Sequence, residues 1–169
     1  MKDECILFLC TGNAARSVMA GAALAARLPD VLVETAGTLT VDGQPMSWRT
    51  RTALESVGLT PPSHRSRQAS HGDIDKATLI VGLAPEHVLW VRRNHASAAA
   101  CTGTLKRLCR DLPDADAPLG DRVSALDLAG VELEEWEEVV DPGGGEVDVF
   151  VECAHEVFEL IDRFAGKLR

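Results

Sequence analysis

Cys10-Thr11-Gly12-Asn13-Ala14-Ala15-Arg16-Ser17 sets a thiol and a guanidinium six positions apart, with a glycine and an asparagine between them. Those residue types suit chemistry on an oxyanion. An arginine can grip two oxygens with its planar fork, and loop amides at a helix N-terminus present partial positive charge. The same field favours the thiolate, the nucleophilic form of cysteine. A ligand held this way would touch Thr11, Gly12, Asn13, Ala14, Ala15, Arg16 and Ser17. Gly12 allows close backbone approach, Asn13 tolerates left-handed dihedrals, and Ser17 can donate to the thiolate or cap the helix.

Two elements must position this loop. The apolar run Cys5-Ile6-Leu7-Phe8-Leu9 predicts a strand ending at Cys10, and the small-residue pattern from Ser17 to Ala26 predicts a helix. The spacing alone is not distinctive, because Cys101-Thr102-Gly103-Thr104-Leu105-Lys106-Arg107 repeats it. No apolar strand precedes that second copy, so Cys101 and Cys109 are expected to pack around a short strand and helix. Attack on phosphorus also needs an acid for the leaving oxygen. Asp141 is the best-placed candidate, on a loop with Pro142 and three glycines after it, although Asp-Pro pairs also serve as plain turns.

Composition bounds the rest. A chain of 169 residues suits one domain, 1–169. Seventeen Lys and Arg against 26 Asp and Glu give a net charge of −9. That balance argues against a nucleic-acid or membrane-surface binder, while leaving room for a local positive pocket. Asp3 and Glu4 precede an apolar run too short for a signal core or a membrane span. Five cysteines without paired spacing point to a reducing, cytoplasmic setting. His64, His71, His87, His95 and His155 form no metal-spaced pair backed by other ligands, so neither a metal nor a cofactor is expected.

Strand and helix patterns alternate along the chain. Further strands are expected at Val31–Thr35, Thr78–Gly82 and Thr102–Leu105. Helices are expected through Trp48, Thr52, Leu54 and Val57, around Asp73–Lys76, from Pro85, and over Val147–Leu168. Pro113–Pro118 reads as a loop, and the acidic stretch Asp127–Glu138 as a solvated face or loop. Such alternation implies an α/β fold, a parallel sheet with helices on both faces, whose ligands bind at the carboxyl ends of strands.

At this point the chain resembles the low-molecular-weight protein tyrosine phosphatases, nearly end to end. The resemblance rests on Cys10, Gly12, Asn13, Arg16 and Ser17, then Thr35-Ala36-Gly37-Thr38, then His64, Arg67 and Gln68, and last Asp141-Pro142. It implies a four-stranded parallel sheet with the phosphate-binding loop after strand 1, and hydrolysis of phosphomonoesters, of the protein phosphotyrosine type, through a phosphocysteine. Cys10 would be the nucleophile, Arg16 the oxyanion clamp and Asp141 the general acid. Asn13, Ser17, Thr35 and His64 would position the loop. The implied substrates are phosphorylated protein or a small aryl phosphate, with inorganic phosphate or another oxyanion in the loop.

Several positions depart from that pattern. Ala15 stands where a second cysteine is common, Val18 replaces a proline, and Gly21 replaces an acid. Glycines follow Asp141-Pro142 in place of aromatic residues, and the chain has no tyrosine. Trp48 could wall the pocket or pack in its helix. Three alternatives stay open: an arsenate reductase using Cys101, Cys109 or an external thiol, a phosphatase acting on phosphoarginine, and a non-catalytic phosphate- or phosphopeptide-binding module.

Overall fold

The computed structural model describes residues 4–114 and 116–169. The expected loop at 113–118 includes residue 115, which lies outside the described residues, as does Asp3. Four parallel strands, β1 (Cys5–Cys10), β2 (Leu32–Gly37), β3 (Leu79–Gly82) and β4 (Thr102–Thr104), form one sheet in the order β2-β1-β3-β4. Around them lie α1 (Arg16–Arg27), α2 (Trp48–Ser56), α3 (His71–Lys76), α4 (Pro85–Asn94), α5 (Leu105–Asp111), α6 (Leu119–Ser124) and α7 (Val147–Leu168).

Alternation along β1 divides the core. Ile6, Phe8 and Cys10 face the layer built by α1, α2, α5 and α7, while Leu7 and Leu9 face Ile74 of α3 and Val91 of α4. All six residues of β1 are buried, as befits a central parallel strand covered on both faces. In α7 the buried positions Ala154, Val157, Ile161, Phe164 and Leu168 recur at three and four. The Phe164 ring meets Phe8 edge-on at 6.4 Å, worth about 1 kcal/mol beyond area burial.

The strand order reverses at β1. From there the chain moves to β2 on one side and later to β3 and β4 on the other. Right-handed crossovers in opposite directions leave a crevice at the carboxyl ends of β1 and β3. Cys10 ends β1 at this crevice.

Three expectations shift. β2 runs to Gly37, because the parallel ladder continues until Gly37 lies opposite Cys10. The α2 face through Trp48 and Thr52 is not the packed one. Ser47 caps the helix, and packing against α7 buries its Thr50, Ala53 and Leu54, while Trp48 is 57 % exposed. The acidic stretch is not simply solvated, since Glu137 is fully buried. It accepts hydrogen bonds from Arg107 Nε at 3.0 Å and Thr104 Oγ1 at 2.6 Å. Burial opposes its charge, but Arg107 and Thr104 hold the carboxyl below its ordinary range. The second Cys-five-Arg copy is therefore a structural anchor, with its arginine turned into an ion pair.

Candidate active site

The loop after β1 is fixed from within. Asn13 takes the left-handed conformation, φ 50°, and is fully buried. Its Nδ2 donates to Ser17 Oγ and to Thr35 Oγ1, both at 3.0 Å, while its Oδ1 accepts from the Arg67 amide at 3.0 Å. Its carbonyl accepts from His64 Nε2 at 2.7 Å. Ser17 Oγ lies 3.0 Å from Cys10 Sγ. Because Ser17 already accepts from Asn13, its own proton is free for the sulfur, and a thiolate can only accept. Ser17 is not the helix cap, since Ala15 holds that position without a side-chain bond.

The segment after β2 supports the loop. The amides of Thr38 and Leu39 donate to the carbonyls of Cys10 and Thr11, each at 3.0 Å. Gly37 is required by closeness, because a Cβ there would meet Thr11 O at 2.5 Å. Gly21 lies equally close to β2, and its Cβ would sit 2.5 Å from Thr35 Cγ2. An acidic side chain at 21 would displace the threonine that holds Asn13. Among the described residues no acceptor meets the amides of Gly12, Asn13, Ala14 and Ala15. Consecutive unpartnered amides ahead of a helix make an anion-binding concavity.

Arg16 closes the constellation. It is 2 % exposed, and its Nη1 donates to Val139 O at 3.0 Å. Its Nη2 lies 3.6 Å from Asp141 Oδ2 and 3.9 Å from Glu86 Oε1. The Val139 amide is tied to Leu83 O beyond β3, at 2.8 Å, which brings the Asp141 segment to the crevice. The Asp141 side chain is 59 % exposed, and its Oδ1 accepts from the Gly143 amide at 2.9 Å. The structure thus gathers Cys10, Arg16, Asp141, Asn13, Ser17, Thr35 and His64 at one sheet end. Among the described residues no cluster of His, Cys, Asp or Glu could hold a metal.

Two neighbours went unread in the sequence, Glu86 and His87, both in the first turn of α4. The sequence marks only a helix opening straight after a strand; that this strand pairs with β1, which carries the nucleophile, comes from the sheet order. His87 is fully buried, and its Nδ1 accepts from the Ala84 amide at 3.0 Å. That leaves Nε2–H to donate to Thr11 Oγ1 at 3.1 Å. Burial, helped by the Arg16 charge, pushes its pKa down to about 3.

This burial gives an expected pH dependence of stability. The unfolded chain takes up a proton at His87 below about pH 6.5, whereas the folded chain does not until about pH 3. Stability is full above the upper value and falls with pH through the window, by about 1.4 kcal/mol per unit from this group alone. Urea unfolding between about pH 6.5 and about pH 4.5 should show the slope, and His87→Gln should lose that part of it. Equal slopes in the two proteins would contradict the buried neutral imidazole.

A thiol under unpartnered amides, a buried arginine and a flanking carboxylate agree with what known proteins show. A sequence profile described as low molecular weight phosphotyrosine protein phosphatase matches residues 5–169. The chain belongs to that family. Its members are cysteine-based protein phosphatases, and this member is a hydrolase of that kind. It is 32 % identical to a protein-arginine-phosphatase of Geobacillus stearothermophilus, over 97 % of this chain and 95 % of the relative. It is 24 % identical to the low molecular weight protein-tyrosine-phosphatase PtpB of Staphylococcus epidermidis, over 96 % and 97 % of the two chains. Among solved structures, the YwlE arginine phosphatase from Geobacillus stearothermophilus superposes with a TM-score of 0.78 at 31 % identity. That match covers 98 % of this chain and 92 % of the other. The fold is thus the four-stranded α/β fold of this phosphatase family. No described helix is long and apolar enough to cross a membrane.

Proposed function

We propose that this chain dephosphorylates proteins through a phosphocysteine on Cys10, and that the phosphoryl group it removes is carried by arginine. The observation behind the first part is the line Asn13 Nδ2, Ser17 Oγ, Cys10 Sγ, with successive separations of 3.0 Å. It aims a hydroxyl proton at the sulfur and stabilises it as thiolate, both before attack and when it leaves the intermediate. The Cys10 thiolate attacks phosphorus, and the S–P bond forms as the bond to the leaving atom breaks. The loop amides and Arg16 hold the equatorial oxygens. Asp141 gives its proton to the leaving atom. Water then attacks phosphorus, losing a proton to the Asp141 carboxylate, and phosphate departs with the thiolate restored. His64, Thr35 and Asn13 keep the loop in shape.

The arginine reading is supported by the mouth of the site. Glycines 143 to 145 follow Asp141-Pro142 where a phosphotyrosine ring would want aromatic walls, and the relative at 32 % identity acts on protein arginine. All five cysteines are free, which suits a reducing, cytoplasmic setting for one domain spanning 1–169. An arsenate reductase would need a resolving thiol. Cys101 Sγ instead donates to Ala98 O and Cys109 Sγ to Leu160 O. Burial also pushes the Cys109 thiol up to about 11.

The test compares phosphate release from phosphoarginyl and phosphotyrosyl peptides of one flanking sequence, with arsenite formation from arsenate plus thiol as a third arm. Faster release from the arginyl peptide is expected. Preference for the tyrosyl peptide would overturn the arginine reading and leave the cysteine mechanism standing. Arsenite without phosphate release, or binding without turnover, would overturn both.

A further inference from the structure

Glu86 has no part in the mechanism so far, yet it stands at the reacting centre. Its side chain is 65 % exposed, with Oε1 at 3.9 Å from Arg16 Nη2 and 3.5 Å from His87 Nε2. Asp141 Oδ2 reaches the same Arg16 nitrogen at 3.6 Å. Two carboxylates therefore converge on one guanidinium, whose Nη1 is already committed to Val139 O. When a phosphoryl dianion takes up Arg16 and Asp141 carries the proton it will donate, the mouth still holds that dianion and the Glu86 carboxylate around a single cation. A phenol leaving group adds no positive charge, so the Glu86 carboxylate can only repel such a substrate. A guanidinium leaving group supplies the missing charge, with planar N–H donors that match carboxylate oxygens.

Glu86 also lines a cavity of about 390 Å³ with Thr11 and Arg93, where Leu39 and Trp90 supply apolar wall. Three methylenes of an arginine side chain suit such a surface, and its guanidinium would lie at the Glu86 side, next to Arg16.

We propose that Glu86 selects the cationic leaving group and makes this site specific for phosphoarginine. The proposal rests on the arginine reading above and adds the residue that enforces it. As Cys10 forms its bond to phosphorus, the P–N bond breaks and the nitrogen takes its electron pair and the Asp141 proton. Arginine leaves as guanidinium, its charge unchanged. Glu86 accepts hydrogen bonds from the remaining N–H groups through this step, freeing Asp141 to act as the acid. His87, neutral and bonded to Thr11, stands beside Glu86 without cancelling its charge.

The experiment measures kcat/KM of the wild type and of Glu86→Gln on phosphoarginyl and phosphotyrosyl peptides of one flanking sequence. In Glu86→Gln the arginyl value should fall about tenfold or more while the tyrosyl value rises, because a repulsive carboxylate has gone. Glu86→Asp, which restores the charge on a shorter arm, should recover part of the arginyl activity. A parallel fall on both substrates, or an unmoved ratio, overturns the role of Glu86 even if the wild type prefers phosphoarginine. A wild type that releases no phosphate from the arginyl peptide overturns the arginine reading itself, and this inference with it.

Discussion

Cys10→Ser should lower phosphate release by about 10⁴-fold or more while inorganic phosphate still binds. The serine hydroxyl stays protonated at neutral pH and is a poor nucleophile, so the covalent step fails. Binding survives because Arg16, 2 % exposed and bonded to Val139 O, keeps its place. The unpartnered amides of Gly12 to Ala15 also remain. Calorimetric titration with phosphate reads binding, and phosphate release reads chemistry. Cys101→Ser is the control. That thiol, half-buried and donating to Ala98 O, lies outside the loop, and its loss should change turnover little. Full activity in Cys10→Ser, or equal loss in both variants, would reject Cys10 as nucleophile.

Asp141→Asn should lower kcat/KM, which reads the step that forms the phosphocysteine, by about 10² to 10⁴-fold for substrates whose leaving group needs a proton. Phosphoarginine and simple alkyl or phenyl phosphates fall in that class. The loss should be much smaller for a nitrophenyl phosphate, whose leaving anion is stable unprotonated. Geometry sets this expectation. Asp141 is 59 % exposed at the mouth and anchored by its own Gly143 bond, so the amide variant can keep the turn. It cannot give up a proton. A loss that is the same across leaving groups of different basicity would show that Asp141 is not the general acid.

Much of this site was legible before the structure. A strand-to-loop-to-helix transition follows from local pattern, and Cys10 to Ser17 lies wholly within it. Alternating elements imply a parallel sheet, and its carboxyl edge is where Cys10 stands. What escaped depends on contacts between distant segments. Glu86 and His87 read as ordinary first-turn helix residues, and nothing local says that α4 opens against Thr11 and Arg16, 70 or more positions earlier. Glu137 sits in an acidic run that looks solvated, and only the packing of Arg107 and Thr104 explains its burial. Gly21 reads as a lost acid until the distance to Thr35 shows that a side chain there would push on the threonine that holds Asn13. The phase of α2 was missed because the face turned inward is set by its packing against α7, nearly a hundred positions later, and not by the apolar Trp48.

The most direct test of the central claim is to trap the intermediate. Asp141→Asn, mixed with a nitrophenyl phosphate, should release nitrophenolate readily yet turn over its covalent intermediate slowly, because no carboxylate is left to take a proton from water. Quenching in denaturant during turnover, followed by mass spectrometry of the peptides, should find phosphate on Cys10. Phosphate on Ser17 or on a histidine, or a Cys10 peptide that stays unmodified while nitrophenolate is released, would contradict it.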